Sequence, residues 1–190
     1  VRGVMDKAQA KEMIAHLRQI PDKIQWILDN QEDIKRCAAD PKYRDAQSAL
    51  YLGRGYNFPS ALEGALKLKE ISYIHAEGYA AGEMKHGPIA LVTDELPVVC
   101  VAVNGDTYDK MVSNIQEIRA RSGIVLSVAT EGNEAIKPHS EDVFYVPDCY
   151  EPFSPIVVAV PLQLFAYYVA ANRGCDVDQP RNLAKSVTVE

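Results

Sequence analysis

The chain has 190 residues and a mass of 21.0 kDa, which is long enough to bury one sizeable core and too short for two full domains. Hydrophobic residues make up 47% and charged residues 24%, and this composition excludes disordered and fibrous architectures. The formal net charge of -6 excludes the basic surface of nucleic-acid-binding proteins, so we expect no nucleic-acid partner.

The four cysteines lie far apart in the sequence: Cys37, Cys100, Cys149 and Cys175. They form no Cys-x-x-Cys pair, and no histidine stands at metal-ligand spacing. We therefore expect reduced, buried thiols in a cytoplasmic protein, with no metal site and no disulfide framework. The chain has neither a secretory signal core nor an initiator Met, which suggests a fragment of a longer protein.

The N-terminal part of the chain, residues 6–40, is polar with apolar residues at helical spacing. This pattern predicts two amphipathic helices broken at Pro21. Pro41 closes the segment, and we interpret residues 1–45 as a helical unit that packs on the domain after it.

Four short apolar runs, each followed by a turn that contains Gly or Pro, predict strands over residues 48–52, 96–103, 124–129 and 143–146. Helices are predicted over residues 61–72, 87–92, 108–122 and 154–172, the last with Ser154 as its N-cap and Pro155 as its first residue. The apolar run 155–171 is shorter than the roughly 20 residues of a membrane span and is interrupted by Pro161 and Gln163, so we expect a buried helix and no membrane association.

The alternation of strands and helices predicts an α/β fold: an open doubly wound parallel sheet flanked by helices, over residues 46–174. Such sheets bind ligands beyond the carboxyl ends of their strands. The turns at residues 53–60, 104–107 and 130–133 would meet at that edge. Residues 175–190 form a polar tail without periodicity.

Glu63, Lys67 and Glu70 recur at spacings of four and three, which places them on one face of the helix after the first strand. An ordinary set of surface ion pairs is one interpretation. The other is catalytic, because the helix starts at a strand-end turn and a carboxylate beside an ammonium can move a proton between adjacent carbons. The apolar residues of this helix are expected to face elsewhere: Leu62, Ala65, Leu66 and Leu68.

The turn Gly53-Arg54-Gly55 lacks the third glycine of a dinucleotide-binding fingerprint, so no cofactor is expected. His86 precedes a Gly-Pro turn and is either a structural residue or a general acid or base able to open a sugar ring. Lys185 in the tail is either a solvated charge or an amine that forms a Schiff base, with Arg181 helping through a salt link.

Three runs of residues carry a resemblance. They are Tyr-Leu-Gly-Arg-Gly at 51–55, Ala-Leu-Glu-Gly-Ala-Leu-Lys-Leu-Lys-Glu-Ile-Ser at 61–72, and the stretch from Glu-Gly-Tyr at 77–79 to Gly-Glu-Met-Lys-His-Gly-Pro at 82–88. With the ending Asp-Gln-Pro-Arg-Asn-Leu-Ala-Lys-Ser-Val-Thr-Val-Glu at 178–190, they closely resemble the glutamine:fructose-6-phosphate aminotransferase family, also called glucosamine-6-phosphate synthase. The resemblance covers the whole chain and implies the second of two sugar-isomerase (SIS) domains, with a flavodoxin-like topology.

The resemblance also implies roles for individual residues. Glu70 matches the base that moves a proton between C1 and C2 of the open-chain sugar, and Lys67 matches the ammonium beside it. Glu63 supports this charged face. His86 matches a histidine that helps to open the fructose ring in the neighbouring subunit's site, and Lys185 matches the lysine that forms a Schiff base with fructose 6-phosphate.

Arg181 would support a tail that closes over the site, and a homodimer is implied. The parent enzymes convert fructose 6-phosphate and glutamine to glucosamine 6-phosphate and glutamate, the first step of hexosamine biosynthesis. The glutaminase domain and the first SIS domain, with its Ser/Thr-rich phosphate loop, are absent from this sequence, so we expect little activity from the fragment alone.

Two alternatives remain open from the sequence. One is a non-catalytic phosphosugar-binding SIS module, in which replacement of Glu70 by Gln would leave function unchanged. The other is a related deglycase or isomerase that acts on another amino-sugar phosphate.

Overall fold

The computed structural model describes residue 3 and residues 5–183. Within them, the α-helices are α1 (Lys7–Arg18), α2 (Ile20–Asp29), α3 (Glu32–Ala39), α4 (Pro41–Arg44), α5 (Phe58–Ser72), α6 (Tyr108–Arg119) and α7 (Ser154–Asn172). The strands are β1 (Ser48–Gly53), β2 (His75–Ala80), β3 (Pro97–Ala102), β4 (Ile124–Thr130) and β5 (Asp142–Val146).

The five strands form one parallel sheet in the order β2-β1-β3-β4-β5. The predicted open parallel sheet with flavodoxin-like topology is therefore confirmed. The strand order reverses between β1 and β3, and this is the point where doubly wound folds leave a crevice at the carboxyl edge.

Side chains of the strands alternate between two cores. In β1, Ala49 and Tyr51 face a core formed with α2, α3, α4, α5 and α7, whereas Leu50 and Leu52 face a second core formed with α6. Short 3-10 turns at Ala81–His86 and Glu134–His139 close the second core. Burial on both faces explains why the central strands are nearly continuous apolar runs.

The N-terminal segment contains four helices where two were predicted. The break between α1 and α2 lies at Gln19, and Pro21 sits in the first turn of α2, where its missing N–H leaves no helical hydrogen bond unmade. The start of α1 is a capping box, because the Asp6 carboxylate accepts the backbone N–H of Gln9 and Gln9 Oε1 in turn accepts the backbone N–H of Asp6.

Strand β2 was not predicted, and the helix predicted over residues 87–92 is only a 3-10 turn at Pro88–Leu91. β2 lies at the sheet edge, where its mostly polar and small residues need little burial. Gly78 brings β2 against α5, since a Cβ there would lie 2.9 Å from the Cα of Leu62.

Helix α7 is the buried helix that the apolar run predicted. The segment Glu151–Asn172 is long and apolar enough to cross a membrane by length and composition, yet half of its apolar window is buried inside the domain. Ser154 is the first helical residue and Phe153 is the N-cap, so the predicted cap was wrong. The Ser154 hydroxyl instead donates to the carbonyl of Glu151 and accepts from Asn57.

All four cysteines are free thiols. Cys37 and Cys100 are buried, but Cys149 and Cys175 are partly exposed, so the expectation of four buried thiols was wrong for two of them. Burial raises the pKa of the Cys37 thiol to about 12, which leaves it unreactive at neutral pH.

A buried carboxylate, Asp142 at the start of β5, ties the N-terminal helices to the sheet. Its oxygens lie 3.1 Å from Arg36 Nη1, 2.8 Å from Lys42 Nζ and 2.9 Å from the Tyr43 hydroxyl. Burial opposes ionisation, but the hydrogen bonds from Lys42 and Tyr43 outweigh it and lower the pKa of Asp142 to about 2.

Replacement of Asp142 by Asn is expected to destabilise the chain by about 2 kcal/mol at pH 7, because it leaves Lys42 and Tyr43 without their charged acceptor. Because the folded-state pKa is depressed, this stabilisation is complete above the ordinary carboxyl pKa of 3.8 and is lost as the pH falls towards 2. Urea unfolding from pH 7 to 2 measures it, with exposed Asp94→Asn as the control. Equal stability of wild type and Asp142→Asn at pH 7 would contradict the prediction.

Candidate functional site

Loops from three strands meet at the carboxyl edge of the sheet. The backbone N–H of Asn104 after β3 donates to Thr130 Oγ1 at the end of β4, at 2.8 Å. An open crevice of about 660 Å³ lies between the loops after β1 and β3 and the start of α7. It is lined by Gly55, Tyr56, Pro59, Asp106, Thr107, Glu151 and Pro155.

This crevice is acidic. Asp106 and Glu151 line it, and Glu151 crowds Gly105 so closely that a Cβ there would lie 2.6 Å from a carboxylate oxygen. Arg54, the cation of the β1 loop, donates from Nε and Nη2 to Asn114 Oδ1 at 3.0 and 2.9 Å. Like charge therefore disfavours a sugar phosphate at this crevice.

The predicted charged face exists on α5, and we call Glu63, Lys67 and Glu70 the α5 row. Lys67 Nζ lies 2.7 Å from Glu70 Oε2 and 3.9 Å from Glu63 Oε1. Each side chain is about one third exposed. On the far side, Gln163 Nε2 of α7 donates to Glu63 Oε1 at 3.3 Å. The row is thus a preformed acid-ammonium-acid set open to a ligand.

Two leucines of α5 do not face the core as expected. Leu62 and Leu66 are 43% and 42% exposed, because the buried face of α5 is formed by smaller residues and Leu68. They lie on the outer side of the helix, where successive side chains three and four apart share a face with Glu63 and Glu70. An exposed apolar border therefore accompanies the α5 row.

The α5 row runs along the helix and away from the carboxyl edge. At a rise of about 1.5 Å per residue, Glu63 lies about 8 Å and Glu70 about 18 Å along the axis from Phe58. Only the first residues of α5 therefore lie close to the turn that follows β1. Glu70 lies near the opposite end, next to the residues that contact the C-terminal tail.

The protonation state of Lys67 determines which residues of the α5 row can act as a base. Its hydrogen bond to Glu70 raises the pKa of Lys67 above its ordinary 10.5, and the charge of Glu63 adds to the effect despite some loss of hydration. Lys67 is therefore an ammonium at neutral pH and is not a base. Any base in the row must be a carboxylate.

His86 ends the 3-10 turn after β2 and is 72% exposed. Its Nδ1 lies 2.7 Å from Glu83 Oε2, which directs Nε2 outward. Within residues 5–183 His86 makes no hydrogen bond or ion pair with the α5 row. The described part of the chain also contains no group of three or more His, Cys, Asp and Glu residues that could hold a metal ion.

Arg181 contacts Tyr73, the residue that ends α5. Its backbone N–H donates to the Tyr73 hydroxyl at 3.0 Å, and its guanidinium lies over the tyrosine ring at 4.1 Å. Lys185, the predicted Schiff-base residue, lies outside the described residues. The structure thus brings the tail to the end of α5 that carries Glu70.

Two residues at the site were missed by sequence reasoning. Gln163 could have been found from the sequence, because it is a polar residue in an otherwise apolar run. In the structure its side chain donates a hydrogen bond to Glu63. Tyr73 had none, since nothing in the sequence marks an aromatic residue in the left-handed conformation.

Residues 42–173 match the SIS domain family. The chain belongs to that family. The chain is 54% identical, over 98% of its length, to a glutamine--fructose-6-phosphate aminotransferase [isomerizing] of Chlorobaculum tepidum, and it spans 30% of that relative's length.

Solved structures agree with this assignment. The chain superposes with a TM-score of 0.85 on the C-terminal domain of glucosamine-fructose-6-phosphate aminotransferase from Francisella tularensis, at 38% identity over 92% of this chain and 49% of that one. A glucosamine-6-phosphate deaminase from Thermotoga maritima gives a TM-score of 0.66 at 26% identity, over 94% of this chain and 50% of the deaminase.

Proposed function

We propose that this SIS domain is the C-terminal isomerase part of an enzyme that converts fructose 6-phosphate and glutamine to glucosamine 6-phosphate and glutamate. The observation that carries the proposal is the α5 row, in which a carboxylate and an ammonium lie 2.7 Å apart on an exposed helix face. The 54% identity to the aminotransferase of Chlorobaculum tepidum supports the choice of substrates.

In this proposal Glu70 is the base. It removes a proton from C1 of the open-chain sugar and returns it to C2, and this transfer between adjacent carbons converts the ketose skeleton to the aldose. The Lys67 ammonium stabilises the negative charge that develops on the sugar oxygens during the transfer. Glu63, held by Gln163, keeps Lys67 in place from the other side.

Lys185 supplies the covalent step. Its amine attacks the C2 carbonyl of fructose 6-phosphate and forms an imine with loss of water. Ammonia then adds to C2 and displaces the lysine amine, so the nitrogen that stays on the sugar comes from ammonia and Lys185 is regenerated. Arg181 supports this step, because its contacts with Tyr73 hold the tail beside the end of α5 that carries Glu70. The tail, residues 175–190, closes over the site and excludes water from it.

His86 opens the sugar ring in the site of a neighbouring subunit, and the enzyme is therefore a homodimer. The exposure of His86 and its lack of contact with its own α5 row support this arrangement. Glu83 holds Nδ1 and leaves Nε2 to exchange a proton with the ring oxygen.

The remaining parts of the enzyme lie outside this chain. The acidic crevice at the carboxyl edge supports a phosphate site in another SIS domain of the parent, and ammonia comes from a glutaminase domain. In this scheme residues 1–45 form a helical segment that packs on the SIS domain of residues 46–174, and the enzyme acts in the cytoplasm. The similarity to the Thermotoga deaminase makes an amino-sugar-phosphate deaminase the second candidate, which would turn over without glutamine.

Borohydride added to the full-length protein with fructose 6-phosphate is expected to reduce the imine and label Lys185. Replacement of Glu70 by Gln should preserve this label, because formation of the imine does not require the base. The same replacement should slow formation of glucosamine 6-phosphate by about a hundredfold or more, because the proton transfer does require it. Peptide mapping and a product assay measure the two effects.

The matched control is Glu32→Gln, since Glu32 pairs with Lys35 at the same three-residue spacing and the same 2.7 Å distance. This variant should keep full activity. An unlabelled Lys185 in the wild-type protein, or full activity in Glu70→Gln, would contradict the proposal.

Co-expression of full-length Glu70→Gln and His86→Asn subunits tests whether His86 serves a neighbour. Each mixed dimer would contain one site with both residues intact, so random assembly restores about one quarter of wild-type activity. Glu70→Gln paired with Lys67→Met is the control, because both residues belong to the same α5 row and no intact site can form. Equal inactivity of both mixtures would show that His86 does not act across subunits.

A further inference from the structure

Arg54, in the turn Gly53-Arg54-Gly55 after β1, has no role in the proposed function. Its side chain is directed to α6, where Nε and Nη2 donate to Asn114 Oδ1 at 3.0 and 2.9 Å. Asn114 is buried, with 6% of its surface exposed. Because one amide oxygen accepts two donors of the planar guanidinium, the group is held in a single orientation.

The flat face of this guanidinium lies against Gly82. A Cβ built at Gly82 would lie 3.4 Å from Nη2, 3.5 Å from Nη1 and 3.7 Å from Cζ of Arg54. Since these three distances are nearly equal, the guanidinium faces Gly82 with its plane and not with an edge. Gly82 belongs to the 3-10 turn Ala81–His86, which ends at His86. Arg54 therefore supports the backbone of the turn that carries His86.

The 3-10 turn depends on support from its surroundings. Hydrogen bonds in 3-10 helices have poorer geometry than those in α-helices, and runs longer than about four residues are uncommon, whereas this turn has six residues. Ala81 and Met84 are buried in the second core and fix the inner side of the turn. The side chain of His86 is 72% exposed, so core packing does not fix its position.

A second contact reaches the turn from the same helix. Lys85, the residue before His86, has its Nζ 2.8 Å from Glu117 Oε1. Glu117 Oε2 in turn lies 3.5 Å from Asn114 Nδ2, three residues earlier in α6. A chain of polar contacts thus leads from Arg54 through α6 to the residue directly before His86.

We propose that Arg54 is a positioning residue that holds the 3-10 turn where His86 can open the sugar ring. Proton exchange requires His86 Nε2 within hydrogen-bond reach of the ring oxygen, and a misplacement of about 1 Å can slow such a step by up to about a hundredfold. This inference rests on the proposed function, which gives His86 its task. Because His86 serves the neighbouring subunit, Arg54 of one subunit supports the site of the other.

The test uses the full-length protein with Arg54→Met, which keeps an unbranched side chain and removes the guanidinium. We expect kcat to fall about tenfold with less than about a twofold change in KM, because a displaced His86 slows a step that follows sugar binding. Arg44→Met is the matched control, since Arg44 also donates from two nitrogens to one side chain, that of Asp45, at 2.8 and 2.7 Å. This control should keep full activity.

Co-expression of variant subunits distinguishes an effect through His86 from a general defect. Arg54→Met with Glu70→Gln should give about one quarter of wild-type activity, because each mixed dimer contains one site with an intact α5 row and an intact His86 turn. Arg54→Met with His86→Asn should give only about one twentieth, because both changes damage what a subunit contributes to its neighbour's site.

Two substitutions of Asn114 test the same contact from the other side. Asn114→Leu removes the acceptor and leaves Arg54 in the chain, so it should reproduce the loss of kcat and the co-expression pattern. Asn114→Asp keeps an oxygen acceptor for the guanidinium and should retain about half of the wild-type kcat or more. If Arg54→Met does not form a folded dimer, these two variants decide the question.

The outcomes separate this inference from the proposed function. Unchanged kcat in Arg54→Met and Asn114→Leu would overturn the role of Arg54 and leave the proposed function standing. Restoration by His86→Asn and not by Glu70→Gln would do the same, because it would place Arg54 with the α5 row of its own subunit. Restoration by neither would show a general defect and would also overturn the inference. A wild-type protein that forms no glucosamine 6-phosphate would contradict the proposed function, and the role of Arg54 with it.

Discussion

The site depends on how closely α5 approaches the sheet. Gly64 makes this approach possible, because a Cβ there would lie 2.8 Å from the ring of Tyr51 in β1 and 3.0 Å from Leu162 in α7. With its small face fixed against these two large side chains, α5 cannot rotate, and rotation by a single residue would turn the outer face by 100°. The position of Lys67 and its two carboxylates is thus set by apolar packing on the opposite side of the helix.

The same packing keeps the α5 row apart from the crevice at the carboxyl edge of the sheet. The crevice at the switch between β1 and β3 is acidic through Asp106 and Glu151, whereas the α5 row leads away from it towards Tyr73 and the tail. In most doubly wound proteins the carboxyl edge carries the chemistry. Here the residues proposed for proton transfer occupy the outer face of a helix, and this face must be covered by another segment if water is to be excluded from the reaction. The tail at one end and the exposed Leu62 and Leu66 along the side are consistent with that need.

The sequence was sufficient for features that depend on local pattern. Continuous Val-rich runs predicted β3, β4 and β5, and the spacing of Glu63, Lys67 and Glu70 predicted their common face. Features set by tertiary neighbours were not predictable. β2 has no apolar alternation because it is an edge strand, and Leu62 is 43% exposed although its backbone packs on Gly78 of β2. The left-handed conformation of Tyr73 was also not predictable from nearby residues, because the residue it contacts, Arg181, lies 108 residues further along the chain.

The central claim is that Glu70 exchanges a carbon-bound hydrogen of the sugar. Proton NMR of fructose 6-phosphate in D2O, with the full-length protein and without glutamine, measures it directly. The wild-type protein should replace one hydrogen at C1 with deuterium, and Glu70→Gln should do so about a hundredfold more slowly. Exchange at the wild-type rate in Glu70→Gln, or no exchange by the wild-type protein, would contradict the claim.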